Sequence, residues 1–339
     1  MGMNPLPLTL SVGYYDHARD LTDGTVPVEG VDLRVIHLPI EETFYRFVFY
    51  REWDVSEMSM GKYISMRSQD DTTITALPVF VSRMFRHSMF YVRDGSPIKR
   101  LEDLKGKRIG IPEWAQTAGV YGRGILTDYV GIALKDIEWI QAGVNQPGRI
   151  EKVKLKLPDT VRYRSAPEHS LNQMLLTGDI DAVMSARPPD GLGRGVARLI
   201  PDFQAAEAQY FRDTGIYPIM HGIVMRTPVL DAHPWVAMNL LKAFDTAKHR
   251  AIERLSEVTA SHAPFAWVSD YAERMKSIFG ADFFPYGVAP GPNAGTPGQR
   301  MNYTTLDAFL RFGFEQGVCH KRLHPEQIFP KQVLTSVKV

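Results

Sequence analysis

The 339-residue chain predicts an α/β protein of two lobes, each built on a mostly parallel sheet, facing one another across a central cleft. Three observations carry that expectation. The length exceeds what one hydrophobic core usually serves, so two are expected. Short apolar runs alternate with stretches of helical periodicity, the pattern of strands joined by crossover helices. Two segments also echo one another: EETFYRFVFYREWDVSEMSM and EHSLNQMLLTGDIDAVMSA both read as amphipathic helix, turn, Asp-led apolar strand and Met-Ser. The first strand ends at Ser59 with Gly61 beyond it, the second at Ser185 with Arg187 beyond it. Open α/β sheets bind ligands at such carboxyl ends.

The elements follow in order. LTLSVGYY reads as a first strand and VDLRVIHL as a second, after the VEG turn. EETFYRFVFYRE places Phe44, Phe47 and Val48 at helical spacing, and DVSEMSM is a short strand after it. TITALPVFV and SMFYVR are strands on either side of three cationic residues, Arg83, Arg86 and His87. LEDLKGKRIGIP is a helical turn, a glycine stop and a strand; TAGVYGRGILTDYVG is a helix closed by Gly131, and IEWIQAG a strand. GLGRGVARLI is a loop leading into the next element, and beyond about residue 228 the periodicity is mainly helical. The Gly/Pro-rich stretch at residues 288–299 is read as a plain connector.

Composition narrows the function. With 44% hydrophobic and 23% charged residues the chain is ordinary for a globular protein. A net charge of +1 gives no bulk attraction to nucleic acid or membrane, so neither partner is expected. The single cysteine, Cys319, excludes an intramolecular disulfide and a cysteine metal cluster. The histidines lack metal-ligand spacing, and GRG and GLGRG lack the strand–glycine–helix setting of nucleotide loops. No cofactor and no metal are therefore expected. The N-terminus lacks a basic region followed by a long apolar core, and no apolar run reaches about 18 residues, so a cytoplasmic location is expected. FYRFVFY and FGADFFPYGV are aromatic enough to be core or a homo-oligomer interface.

YDHARDLTDGTVPVEGVDL, REWDVSEMSMGKY, LPVFVSRMFRHSMFYVR, LKGKRIGIPEWAQTAGVYGRGIL and GDIDAVMSARPP together resemble the 4,5-dihydroxyphthalate decarboxylases. LEDLKGKRIGIP with LLTGDIDAV is similar to the second lobe of a type II periplasmic-binding-protein fold. The resemblance implies a ligand-binding clamshell that releases CO2 from a small aromatic dicarboxylate without a cofactor. It implies lobe I over residues 1–92 and 220–339 and lobe II over residues 93–219. The competing reading is a non-catalytic solute-binding protein for an aromatic carboxylate or a thiamine-precursor-like ligand.

A dicarboxylate needs cations, and the planar guanidinium fork suits a carboxylate. Arg19, Arg83, Arg86 and Arg123 are the candidates, with Asp16 beside Arg19 either in the same set or as its structural partner. Gln116 and Thr117 begin a predicted helix, where backbone N–H groups favour anions. Ser59 and Ser82 would orient the ligand. Ring protonation needs a positioned acid, for which His87 and His221 are the leading candidates because imidazole titrates near neutrality. Glu57, next to the Ser59 strand end, is the carboxylate candidate.

Overall fold

The computed structural model describes residues 4–334. Its strands are β1 (Leu6–Ser11), β2 (Val31–Ile36), β3 (Val55–Ser59), β4 (Ile74–Arg83), β5 (Phe90–Arg93), β6 (Arg108–Ile111), β7 (Glu138–Gly143), β8 (Arg162–Ser170), β9 (Ala182–Met184), β10 (Val196–Arg198) and β11 (Ile219–Arg226). The helices are α1 (Asp16–Thr22), α2 (Ile40–Tyr50), α3 (Met60–Ser68), α4 (Thr117–Gly124), α5 (Leu171–Thr177), α6 (Phe203–Thr214), α7 (Thr227–Ala232), α8 (Trp235–Ser256), α9 (Val268–Phe279) and α10 (Pro297–Glu315).

Two sheets form, in the orders β2-β1-β3-β11-β4 and β10-β5-β9-β6-β7-β8. In the first, β1 runs parallel to β2 and β3, while β11 runs antiparallel to β3 and β4. The second repeats this plan: β6 is parallel to β7 and β9, and β5 is antiparallel to β9 and β10. The echoing segments therefore end in strands at equivalent places, β3 and β9. Each antiparallel strand is delivered by the chain of the other lobe, since β5 follows β4 and β11 follows β10. These two exchanges make the clamshell.

Both sheets are mixed rather than mostly parallel, because the exchanged strands enter against the direction of their hosts. The chain leaves the first sheet after Arg83, and Phe90–Arg93 already belongs to the second, ahead of the boundary expected at residue 92. The tail also does more than fill lobe I. Helix α10 packs on both α3 and α4, and Gln316 accepts a hydrogen bond from Arg123 and, through its carbonyl, from Trp114 Nε1.

Local sequence explains most of these elements. The fully buried strand VSEMS is sandwiched in its sheet, and Gly178 and Gly215 take the left-handed conformation that closes α5 and α6. Helix α10 begins inside the stretch expected to be connector, because Thr296 and Gln299 form a capping box with Pro297 at the first position. The short α1 and α3 and the amphipathic α6 were not foreseen. Cys319 is buried against the Ile64 carbonyl, a packed thiol. Among the described residues no helix is long and apolar enough to cross a membrane.

Candidate active site

Glu57 lies in the middle of β3 and is fully buried. A buried carboxylate is costly unless its oxygens are satisfied, and three donors converge on it. Gly13 N–H donates to Oε2 at 2.9 Å, the Tyr15 hydroxyl to Oε1 at 2.7 Å, and His221 Nδ1 lies 2.7 Å from the same Oε1. Gly13 and Tyr15 come from the loop after β1, a strand carboxyl end. His221 comes from β11, where it faces Ser59 while Ile223 faces Glu57. Glu57 and His221 are thus diagonal neighbours on one face of an antiparallel pair, within side-chain reach. Burial first, and then the Glu57 charge, raises the Tyr15 phenol well above its ordinary range, so it is a donor at neutral pH. Phe44 meets the other side of the imidazole edge-on, with centroids 4.9 Å apart.

His221 opens onto a cavity of about 380 Å³ between the lobes, shared with Ser59, Arg86, Gln116 and Thr117. Its floor is where the lobes touch: Thr117 Oγ1 accepts from Gly61 N–H at 2.9 Å and lies 3.0 Å from Ser59 Oγ. Only glycine fits at residue 61, since a Cβ there would stand 2.4 Å from the Ala115 carbonyl oxygen. Arg86 enters from the segment between the sheets. Its Nε contacts Met220 Sδ at 3.1 Å, and among the described residues no acid pairs with it. Burial pushes its guanidinium down to about 10, opposed by the Glu207 charge, so it stays cationic at neutral pH. The outer cleft adds Arg149 and Lys152, both on buried Glu113 (2.7 and 3.4 Å), and Arg187, whose guanidinium reaches Glu41 at 3.7 Å. Ser185, the residue after β9, lines this outer part, its buried hydroxyl without a partner among the described residues.

Several expected residues lie elsewhere. Arg83 is buried on the carbonyls of Tyr217 (3.0 Å) and Pro285 (2.9 Å) and the Asn302 side chain, ringed by Phe80, Tyr217 and Phe284. Arg123, a residue of α4, is fully buried with its guanidinium 4.0 Å from the Trp114 ring centroid. Arg19 and Asp16 are half-exposed on α1 and pair with each other at 3.0 Å. Ser82 is paired with His221 in the sheet and reaches the Tyr15 phenol rather than the cavity. His87 does not line the cavity: its ring meets Tyr210 edge-on at 5.2 Å, neither nitrogen has a partner among the described residues, and burial holds it down to about 4. It is therefore neutral at pH 7. Of Arg83, Arg86 and His87, Arg86 alone lines the cavity.

Sequence reasoning missed Tyr15, Lys62, Arg149 and Lys152, and marked Arg187 only as lying beyond the second strand end. Tyr15 carried a usable signal, a polar aromatic just after the first strand; Lys62, Arg149 and Lys152 sit on a helix or loops with no local mark. An apparent cation site, formed by Asp245, His249 and Asp282, is served by the buried Lys248 ammonium at 2.8 Å from Asp245 and 2.7 Å from Asp282.

A 4,5-dihydroxyphthalate decarboxylase from Comamonas testosteroni is 36% identical over 341 aligned residues, covering 99% of this chain and 100% of that protein. The chain belongs to the 4,5-dihydroxyphthalate decarboxylase family. A second member of the family, from Pseudomonas putida, is 38% identical over 214 residues, 62% of this chain and 83% of that protein. The family is one of carboxy-lyases, and the chain is an enzyme of that class. A family model described as "ABC transporter, phosphonate, periplasmic substrate-binding protein" matches residues 21–159. Among solved structures, the periplasmic aliphatic sulphonate binding protein SsuA from Escherichia coli aligns at TM-score 0.51 and 13% identity, covering 97% of this chain and 99% of that one. A sulfonate-binding SsuA protein from Methylobacillus flagellatus aligns at TM-score 0.51 and 12% identity over 98% and 93% of the two chains. These likenesses establish the fold: the chain is a two-lobed, periplasmic-binding-protein-like clamshell.

Proposed function

We propose that this enzyme decarboxylates 4,5-dihydroxyphthalate to protocatechuate and CO2, with His221 delivering the proton to the ring. The observation that carries the reading is the Glu57–His221 couple at the cavity wall, in a chain of this family. His221 Nε2, free of any protein partner among the described residues, gives its proton to the ring carbon that bears the leaving carboxylate. The ring becomes a dearomatised intermediate, the C–C bond then breaks, and its electron pair restores the aromatic ring as CO2 departs. Solvent returns the proton to His221, so each turnover consumes one proton. Glu57 orients the imidazole and stabilises its cationic form.

Arg86 suits the carboxylate that stays. A strong ion pair on the leaving carboxylate would be lost as neutral CO2 forms, which stabilises the ground state over the transition state. A buried guanidinium without an acid of its own gains most from a ligand carboxylate. Ser59, Gln116 and Thr117, lining the same cavity, complete the cradle.

A second reading, a binding protein for an aromatic carboxylate, draws on the fold likeness and the family model. A plain receptor has no need of a buried carboxylate that holds an imidazole at the cavity wall. The test is incubation of pure protein with 4,5-dihydroxyphthalate while CO2 and protocatechuate are followed. Turnover is expected, with kcat about 10²–10⁴-fold lower in His221→Ala. Tight binding without CO2 release would favour the receptor.

A further inference from the structure

Lys62 has no counterpart in the mechanism so far. It stands in the first turn of α3, half-buried, and lines both the cavity that holds His221 and a neighbouring one of about 250 Å³ behind Phe44. Its amine has no hydrogen bond or ion pair among the described residues. Three effects oppose its charge. It is withdrawn from water, it lies at a helix N-terminus where the backbone dipoles disfavour a cation, and Lys152 and Arg149 face it. Glu113 and Glu151 act in the other direction, and burial outweighs them, so the ammonium loses its proton more readily than an ordinary lysine. Glu113 is in any case engaged by Arg149 and Lys152, and Glu151 by the backbone N–H groups of Trp114 and Ala115. A costly, partnerless amine beside the proton donor calls for a ligand group.

Resting on the decarboxylase reading, we propose that Lys62 is a further catalytic residue, which accepts the proton of the ring hydroxyl para to the leaving carboxylate and holds the resulting phenolate. The chemistry favours this over a third carboxylate contact. The carboxylate that stays already has Arg86, and the same cavity wall carries Arg149, Lys152 and Arg187. Loss of CO2 from an aromatic ring is limited by formation of the protonated, dearomatised intermediate. A para oxygen that carries full negative charge stabilises that intermediate far better than a neutral hydroxyl. The steps balance: the O–H proton moves to Lys62 Nζ, His221 protonates the ring carbon, CO2 leaves with the C–C electrons returning to the ring, and Lys62 returns its proton to the product oxygen.

The experiment compares wild type with Lys62→Met using two ligands, 4,5-dihydroxyphthalate and phthalate, which has both carboxylates and no hydroxyl. In a variant whose melting temperature matches wild type, kcat should fall about 100-fold, while inhibition by phthalate stays within about threefold of wild type. Unchanged kcat, or phthalate inhibition weakened tenfold or more, would overturn the proposal; the second result would make Lys62 a carboxylate ligand. An independent readout keeps Lys62 in place: intact 4,5-dihydroxyphthalate bound to His221→Ala should show the red-shifted absorbance of a phenolate at pH 7. Absence of that band also overturns the proposal, whether or not Lys62→Met folds. Failure of the decarboxylase reading looks different, since wild type would then release no CO2 although the absorbance of the bound ligand could still be read.

Discussion

Replacing Glu57 by Gln separates the charge of the His221 partner from its shape. Three donors meet two carboxylate oxygens: Tyr15 and His221 at Oε1, and Gly13 at Oε2. Glutamine offers one oxygen and one NH2 group. With the oxygen at the Oε1 position it keeps Tyr15 and His221 and sets its NH2 against the Gly13 N–H; the reverse placement leaves two donors facing NH2. The first placement should prevail, at about 1–3 kcal/mol of stability for one buried donor left unmet. The effect on turnover comes from the charge. When His221 carries the proton destined for the ring, its Nδ1–H bond to a carboxylate is charge-assisted, worth about 1.5–3 kcal/mol. Most of that is lost to an amide oxygen, which lowers kcat about 10- to 100-fold and leaves KM nearly unchanged. Steady-state CO2 release gives kcat and KM, and thermal melts give stability. A variant that melts lower yet turns over within threefold of wild type would refute the reasoning, leaving Glu57 as a structural acid alone.

Arg86→Ala should raise KM, or the Kd for phthalate by calorimetry, about 10- to 100-fold. The empty protein should melt no lower, because the substitution removes a buried charge that has no acid partner; unchanged affinity would remove Arg86 from the binding set. Gly61→Ala places a Cβ 2.4 Å from the Ala115 carbonyl oxygen, so the lobes must part, at about 1–3 kcal/mol and with weaker binding of phthalate. Normal melting and binding would show that the contact yields freely. His87, held down to about 4 against an ordinary 6.5, contributes stability that is present above pH 6.5 and lost as the pH falls through 4. His87→Phe should remove a pH-dependence on the order of 2–3 kcal/mol between those limits, read from melts against pH. It should keep turnover at pH 7 within threefold, whereas a large loss would return His87 to the proton-transfer step.

The fold was legible because it is written in local patterns. Alternating strand and helix periods, glycine stops and the echo between residues 41–60 and 168–186 specify two similar sheets, and those sheets place β3 and β9 equivalently. Short elements such as α1 and α3 were lost because a few residues carry too little periodicity to register. The candidate site was legible where a side chain lies at or near a strand end, as with Ser59, Glu57 and Arg86. It was illegible where chemistry depends on which residues far apart in the chain are brought together.

Sequence alone determined that this is a two-lobed α/β protein of this family, with cations gathered beside the β4 strand. Nothing in the run Arg83–Arg86–His87 says which of them faces a ligand. Tertiary structure decided that, because direction depends on neighbours distant in sequence. Backbone carbonyls and Asn302 claim Arg83, Tyr210 covers His87, and the entry of β11 between β3 and β4 brings His221 to Glu57 and Met220 to Arg86. A buried charge takes whatever partner the fold supplies, and of these three residues Arg86 is the one that lines the cavity.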